Sequence, residues 1–217
     1  MPADQAAGLR WRRQGLRHRC VQCISDTPGL ALRAAQSLRL EGASPLVVDA
    51  RDRLFVPAAP QALFDWTRQL ARGALLILPL GGIPVWHAPG ARADAAGLAQ
   101  GVRAWDTLIF DSPLCDAAAV LPGATQCVLM EVRPEGMQSS YALLKTRAER
   151  GGGAAILFGD AQACAQVHAA CARFLGATFA AAVMYVANED DAIAALAVRM
   201  ADEEPGLSPQ YRTTGNT

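Results

Sequence analysis

The chain has 217 residues, 52% of them hydrophobic, and 20 basic residues balance 20 acidic ones. That length and apolar content suit one sizeable α/β core and exclude a disordered chain. A formal net charge of zero excludes an overall field drawing the molecule to nucleic acid or anionic membrane.

In chain order, residues 1–18 read as an arm outside the core. Asp4 can cap a helix by accepting from free backbone amides, and Ala6, Ala7, Leu9 and Arg10 suit helix formation. Ala6 and Leu9, three apart, share a face. Isolated helices need roughly 12–15 residues to hold in water, so this one should order fully only against a surface. Arg10, Arg12, Arg13, Arg17 and Arg19 make the arm basic. Its bland alternative is a frayed, solvated terminus. The arm lacks the charged-then-apolar design of a signal peptide, and no apolar run approaches the roughly 18 residues that would span a bilayer. A cytoplasmic protein is expected.

Arg19 to Ser25 reads as a first strand, and Pro28-Gly29 opens a helix to about Glu41 with Leu30, Ala31, Ala34, Ala35 and Leu38 on its apolar side. Pro45 to Ala50 is a second strand, apolar without alternation, which suits a sheet covered on both faces. A helix over 60–72, a strand over 74–79, a Gly/Pro-rich loop through Gly90 and a helix over 92–102 follow. Then come a strand over 107–111, a short helical piece, a strand over 126–132 and a helix over 135–150. A strand over 154–159, a helix over 161–175, a strand over 179–186 and a helix over 190–201 complete the domain. Strands alternating with such helices imply a doubly wound, mostly parallel sheet of about seven strands spanning residues 19–201. The tail over 202–217, rich in Pro and small polar residues, should be loose.

Several constellations carry little chemistry. Cys20 and Cys23 have the spacing of a redox or half-zinc motif, but no second pair follows, and the histidines His18, His87 and His168 are scattered. No metal site is expected, and the six cysteines read as small core residues of a reducing cytosol. Trp86-His87 sits in the longest irregular segment, either as a partner-binding loop or as simple closure over the sheet. The periodic stretch from Asp190 to Met200 has an acidic polar face, so stable membrane insertion is not expected.

The arm's Asp4-Gln5-Ala6-Ala7-Gly8-Leu9-Arg10 resembles the DQAxxLR activator motif of the FlhG (FleN) family, MinD-like regulators of flagellar number. In the core, Leu46-Val-Val-Asp49 resembles the second strand of MinD/ParA proteins, and Trp105-Asp-Thr-Leu-Ile-Phe-Asp111-Ser-Pro113 their Walker B region. Cys127 to Pro134 and Tyr141-Ala-Leu-Leu-Lys145 resemble the strand, turn and helix that follow, and Arg173-Phe-Leu-Gly176 a late helix and turn. The resemblance implies a MinD/ParA-like P-loop NTPase fold and a site around Thr27, Gly29, Asp49 and Asp111.

The nucleotide chemistry departs from that pattern. A MinD-type ATPase needs a Gly-rich loop to cradle phosphates, a Lys to neutralise them and a hydroxyl for magnesium. Here the first strand runs into Ser25-Asp26-Thr27-Pro28-Gly29, with one glycine and an acid where phosphates would sit. Lys145 is the only lysine in the chain. Arg51 stands where the family has a second Asp, and Gly159-Asp160 where it often has an adenine-reading Asn. ATP and magnesium are therefore expected only if the degenerate site still binds, and no ATPase activity is expected. Asp49 and Asp111 read best as caps for neighbouring helix starts or as partners of Arg51 or Arg53.

The resemblance thus implies a regulatory binding protein of flagellar assembly. Asp4, Gln5, Ala6, Leu9 and Arg10 would engage an FlhF-like GTPase of the signal-recognition-particle type and raise its GTP hydrolysis. Flagellar switch or regulator proteins are further conceivable partners, with recruitment to the flagellar pole or basal body. Two alternatives stand beside it: a divergent MinD/ParA-type ATPase, and a pseudo-ATPase of another MinD-like system such as septum placement, partition or cellulose secretion.

Overall fold

The structure, a computed structural model, describes residues 19–49, 54, 68, 77–79, 102, 105–112, 114, 125–150 and 153–202. Seven strands form one sheet: β1 (Arg19–Ile24), β2 (Pro45–Asp49), β3 (Ile77–Pro79), β4 (Thr107–Ser112), β5 (Thr125–Val132), β6 (Ala154–Gly159) and β7 (Val183–Tyr185). Their spatial order is β3-β2-β4-β1-β5-β6-β7, and every pairing is parallel. The expected doubly wound α/β fold is present. Parallel strands covered on both faces read as unbroken apolar runs. Accordingly β2 and β4 are buried at every position, and β1 at all but Arg19.

Five helices flank the described part of the sheet: α1 (Leu30–Leu40), α2 (Met137–Glu149), α3 (Ala161–Phe174), α4 (Ala177–Ala181) and α5 (Glu189–Asp202). Leu30, Ala31, Ala34 and Leu38 of α1 pack with Ala192, Ile193, Leu196 and Met200 of α5 against Val21, Val47, Ile109, Leu129 and Ile156 of the sheet. On the opposite face Leu143 and Leu144 of α2 join Cys164, Val167 and Cys171 of α3 over Ile24, Val128, Met130 and Leu157. Strand alternation sends Leu129 to one face and Val128 and Met130 to the other.

Two boundaries differ from expectation. The segment 179–186, expected as one strand, divides into the end of α4, a turn and the three-residue β7. Gly176, at φ 92°, turns the chain, and the following Ala-Thr-Phe-Ala-Ala has the composition of a helix. A short apolar run does not by itself separate helix from strand. The helix expected from Glu135 opens instead with a 3-10 turn, Pro134–Gly136, before α2. The arm over 1–18, the tail over 203–217, the Trp86-His87 loop and nearly all of the expected helices over 60–72 and 92–102 lie outside the described residues. No helix among the described residues is long and apolar enough to cross a membrane.

Candidate functional site

Open α/β sheets bind ligands beyond the carboxyl ends of their strands, where strand order reverses. In this chain that place lies around the end of β1, between β4 and β5. Ile24 ends β1 and Leu30 starts α1, so the connection is the five residues Ser25–Gly29. This loop and the first turn of α1 hold one glycine and no lysine, whereas a phosphate-binding motif has two glycines and a Lys that opens the helix.

Its own side chains close the loop. Ser25 Oγ accepts from the Thr27 backbone N–H at 3.0 Å and donates to Glu131 Oε2 at 2.5 Å. Such a hydroxyl-to-backbone turn fixes the chain locally. Glu131 lies in β5, the strand beside β1. Arg133 Nε donates to Glu131 Oε1 at 2.8 Å, and its Nη2 donates to Thr27 Oγ1 at 3.2 Å. The hydrogen bond and charge of Glu131 hold the Arg133 guanidinium still more firmly protonated, with smaller help from Asp26 and Glu135. The network therefore places one cation among several carboxylates, with its charge already matched.

Gly29, at φ 112°, sits at the cap position of α1 with no side-chain cap, so left-handed backbone and not a side chain starts the helix. Arg33, the cation nearest in sequence after the loop, pairs instead with Glu189 at the start of α5. Lys145 is on the exposed side of α2, 3.9 Å from Glu149 four residues on. Among the described residues, no lysine approaches the β1–α1 loop.

Asp49 and Asp111 end up as register partners on neighbouring strands, both fully buried, and Cys23 pairs Asp111 from the other side. Asp49 Oδ2 accepts from the Leu54 backbone N–H at 2.9 Å, tying down the segment after β2. Leu54 is a bend and not a helix start, so this bond differs from the expected helix cap, and Arg51 and Arg53 lie outside the described residues. Asp160 is likewise structural: it caps α3 by accepting from Ala163 N at 2.8 Å. Gly159 just before it has φ 114°, and a Cβ there would sit 2.6 Å from the Val132 carbonyl. The described carboxyl edge thus gathers Thr27, Gly29, Asp49 and Asp111, while Asp4, Gln5, Ala6, Leu9 and Arg10 lie outside the described residues.

The sequence reading missed Glu131 and Arg133. Two apart, they fall on one side of a strand, a usable signal. Their meeting with Ser25 depends on the β1–β5 pairing, which spans over a hundred residues of chain.

Cys20 and Cys23 are three apart in β1 and point to opposite faces, so they do not converge on one ion. No group of three or more His, Cys, Asp or Glu among the described residues could hold a metal. Cys20, Cys23, Cys127, Cys164 and Cys171 are buried. Burial pushes the thiols of Cys164 and Cys171 up to about 11, Asp160 adding to the effect at Cys164.

No family model and no curated protein matches the chain. Solved structures do. A chain of the MinC:MinD cell division protein complex of Aquifex aeolicus is similar over 88% of this chain and 98% of that one, at 12% identity and a TM-score of 0.50. HypB from Helicobacter pylori, solved in complex with nickel, is similar over 91% of this chain and 92% of that one, at 13% identity and a TM-score of 0.47. The seven-stranded parallel sheet defines an α/β protein whose fold is similar to that of MinD. At its β1–α1 loop, the residues present do not fit a nucleotide's phosphates.

Proposed function

We propose that the chain is a regulatory binding protein of flagellar assembly, FlhG-like in design, whose core has given up ATP chemistry and whose arm acts on a partner. The DQAAGLR stretch engages an FlhF-like GTPase. Asp4 and Gln5 make polar contacts at the partner's catalytic region, while Ala6, Leu9 and Arg10 anchor the helix. Gln is suited to orienting an attacking water. The hydrolytic chemistry belongs to the partner.

The observation that carries the pseudo-ATPase half of this reading is the β1–α1 loop. Five residues, crossed by the Ser25–Glu131–Arg133–Thr27 network, stand where a phosphate cradle would be. Glu131 and Asp26 would repel a triphosphate, and Arg133 is already matched. A MinD-like fold also suits a protein that works by contact with another protein, as MinD does in the MinC:MinD cell division protein complex. Flagellar switch or regulator proteins are candidate partners of the core, and the flagellar pole or basal body is the corresponding site of action.

The test adds a peptide of residues 1–19 to the partner GTPase and follows phosphate release. Stimulation by the natural peptide and little by its Gln5→Ala form is expected. No stimulation, or full stimulation by the substituted peptide, removes the mechanism.

A further inference from the structure

The Glu131 carboxylate is held as a bound ligand would be, although it belongs to the chain. Register pairs Ile24 of β1 with Met130 of β5, so the residues one step on, Ser25 and Glu131, come side by side at the carboxyl edge. Glu131 pairs in turn with Phe158 of β6, which packs in the core beneath α1 and α5, so strand alternation turns Glu131 to the face that α1 covers. Each carboxylate oxygen has a donor of its own. Oε2 accepts from Ser25 Oγ at 2.5 Å and Oε1 from Arg133 Nε at 2.8 Å, with Arg133 Nη2 also 2.8 Å from Oε1.

The same carboxylate decides how the loop is ordered. The Ser25 hydroxyl has one proton to give. Its 2.5 Å contact with Glu131 is shorter than its 3.1 Å contact with the Thr27 carbonyl, so the carboxylate takes the proton. The Ser25 oxygen then accepts from the Thr27 N–H at 3.0 Å, and Arg133 Nη2, brought over by Glu131, reaches the Thr27 hydroxyl at 3.2 Å. Glu131 thus holds Thr27 from two sides through two intermediaries. Hydrogen bonds to an ionised acceptor are roughly twice as strong as neutral ones, so the network weakens at both arms when the carboxylate is lost.

We infer that Glu131 is an internal ligand: its carboxylate fills a seat for a small carboxylate made by Ser25 and Arg133, and thereby holds the β1–α1 loop in one conformation without a nucleotide. The order of the loop then comes from the chain itself, and the carboxyl edge offers a partner the same surface at all times. The inference rests on the pseudo-ATPase reading for that consequence but not for the seat itself.

Chemical rescue of the full chain tests the seat. Glu131→Ala vacates it, and thermal melts in sodium formate should lie about 2 °C above melts in sodium chloride at the same ~0.2 M, the shift that a ligand at about twice its Kd gives a domain of this size. The parent, whose seat is filled, and the double variant Glu131→Ala with Arg133→Ala, which lacks the cation of the seat, should gain nothing. No gain in Glu131→Ala, or equal gains in all three proteins, overturns the seat. Sodium phosphate that stabilises Glu131→Ala where formate does not overturns the carboxylate class. Glu131→Gln keeps the bulk of the side chain without its charge and serves if Glu131→Ala does not fold. In it, hydrogen exchange at the Thr27 amide should run at least ~3-fold faster than in the parent, and an unchanged rate overturns the internal ligand. Nucleotide binding to the parent would remove the pseudo-ATPase reading, while formate rescue decides the seat by itself.

Discussion

The two edges of this sheet are finished in opposite ways. At the carboxyl edge polar side chains turn inward on one another: Ser25 to Glu131, Glu131 to Arg133, Arg133 to Thr27, Asp49 to the Leu54 backbone. At the amino edge Arg19 ties the first strand to the carbonyl of Met200 in the last helix. The strands are common to both edges, so the difference lies wholly in what connects them. A fold similar to that of MinD keeps its core while its loops decide whether a nucleotide is welcome.

The comparison breaks most readily at Gly159. In Gly159→Ala, the new Cβ would press on the Val132 carbonyl, in a backbone conformation that side chains rarely adopt. A loss of about 3 kcal/mol is expected in urea unfolding, since neither partner of the clash can move aside cheaply. A near-neutral result would mean that the carboxyl edge is looser than described.

Alkaline titration comes next. Cys164 and Cys171 are fully buried, with thiols raised from 9.0 to about 11. The unfolded chain releases these protons near 9 while the folded chain keeps them. Their contribution is therefore complete below pH 9 and is lost as pH rises toward 11, by ~2 kcal/mol for each thiol. Chemical denaturation at pH 8 and pH 10.5 reads the difference.

Ser25→Ala sharpens the contrast at the loop itself. It removes the hydroxyl that joins β1 to the Glu131 carboxylate, and bonds to charged groups are worth about 1.5–3 kcal/mol net. With Glu131 partly solvated, a loss of ~1–2 kcal/mol is expected by thermal melt. Lys145→Ala is the smallest. Its pairing with Glu149 is exposed on both sides, so the change should stay within ~0.5 kcal/mol, as befits a lysine with no phosphate to meet.

Much of this was legible in the sequence because it is local. Continuous apolar runs such as Pro45–Asp49 announce buried parallel strands, and Pro28-Gly29 announces a helix start. The shortened loop and the missing lysine could also be read directly. What could not be read depends on pairing across the sheet. Asp49 beside Asp111 follows from the β2–β4 register, and the link from Ser25 to Glu131 from the β1–β5 register. The single strand expected over 179–186 failed for a different reason: alanine-rich apolar sequence fits helix and strand alike, and Gly176 settles the matter only through its turn.

Calorimetric titration of the full chain with ATP and magnesium bears most directly on the claim that the carboxyl edge is closed by its own residues. The account predicts no binding heat up to millimolar nucleotide. Saturable binding at micromolar ATP would contradict it and return the chain to the divergent ATPases.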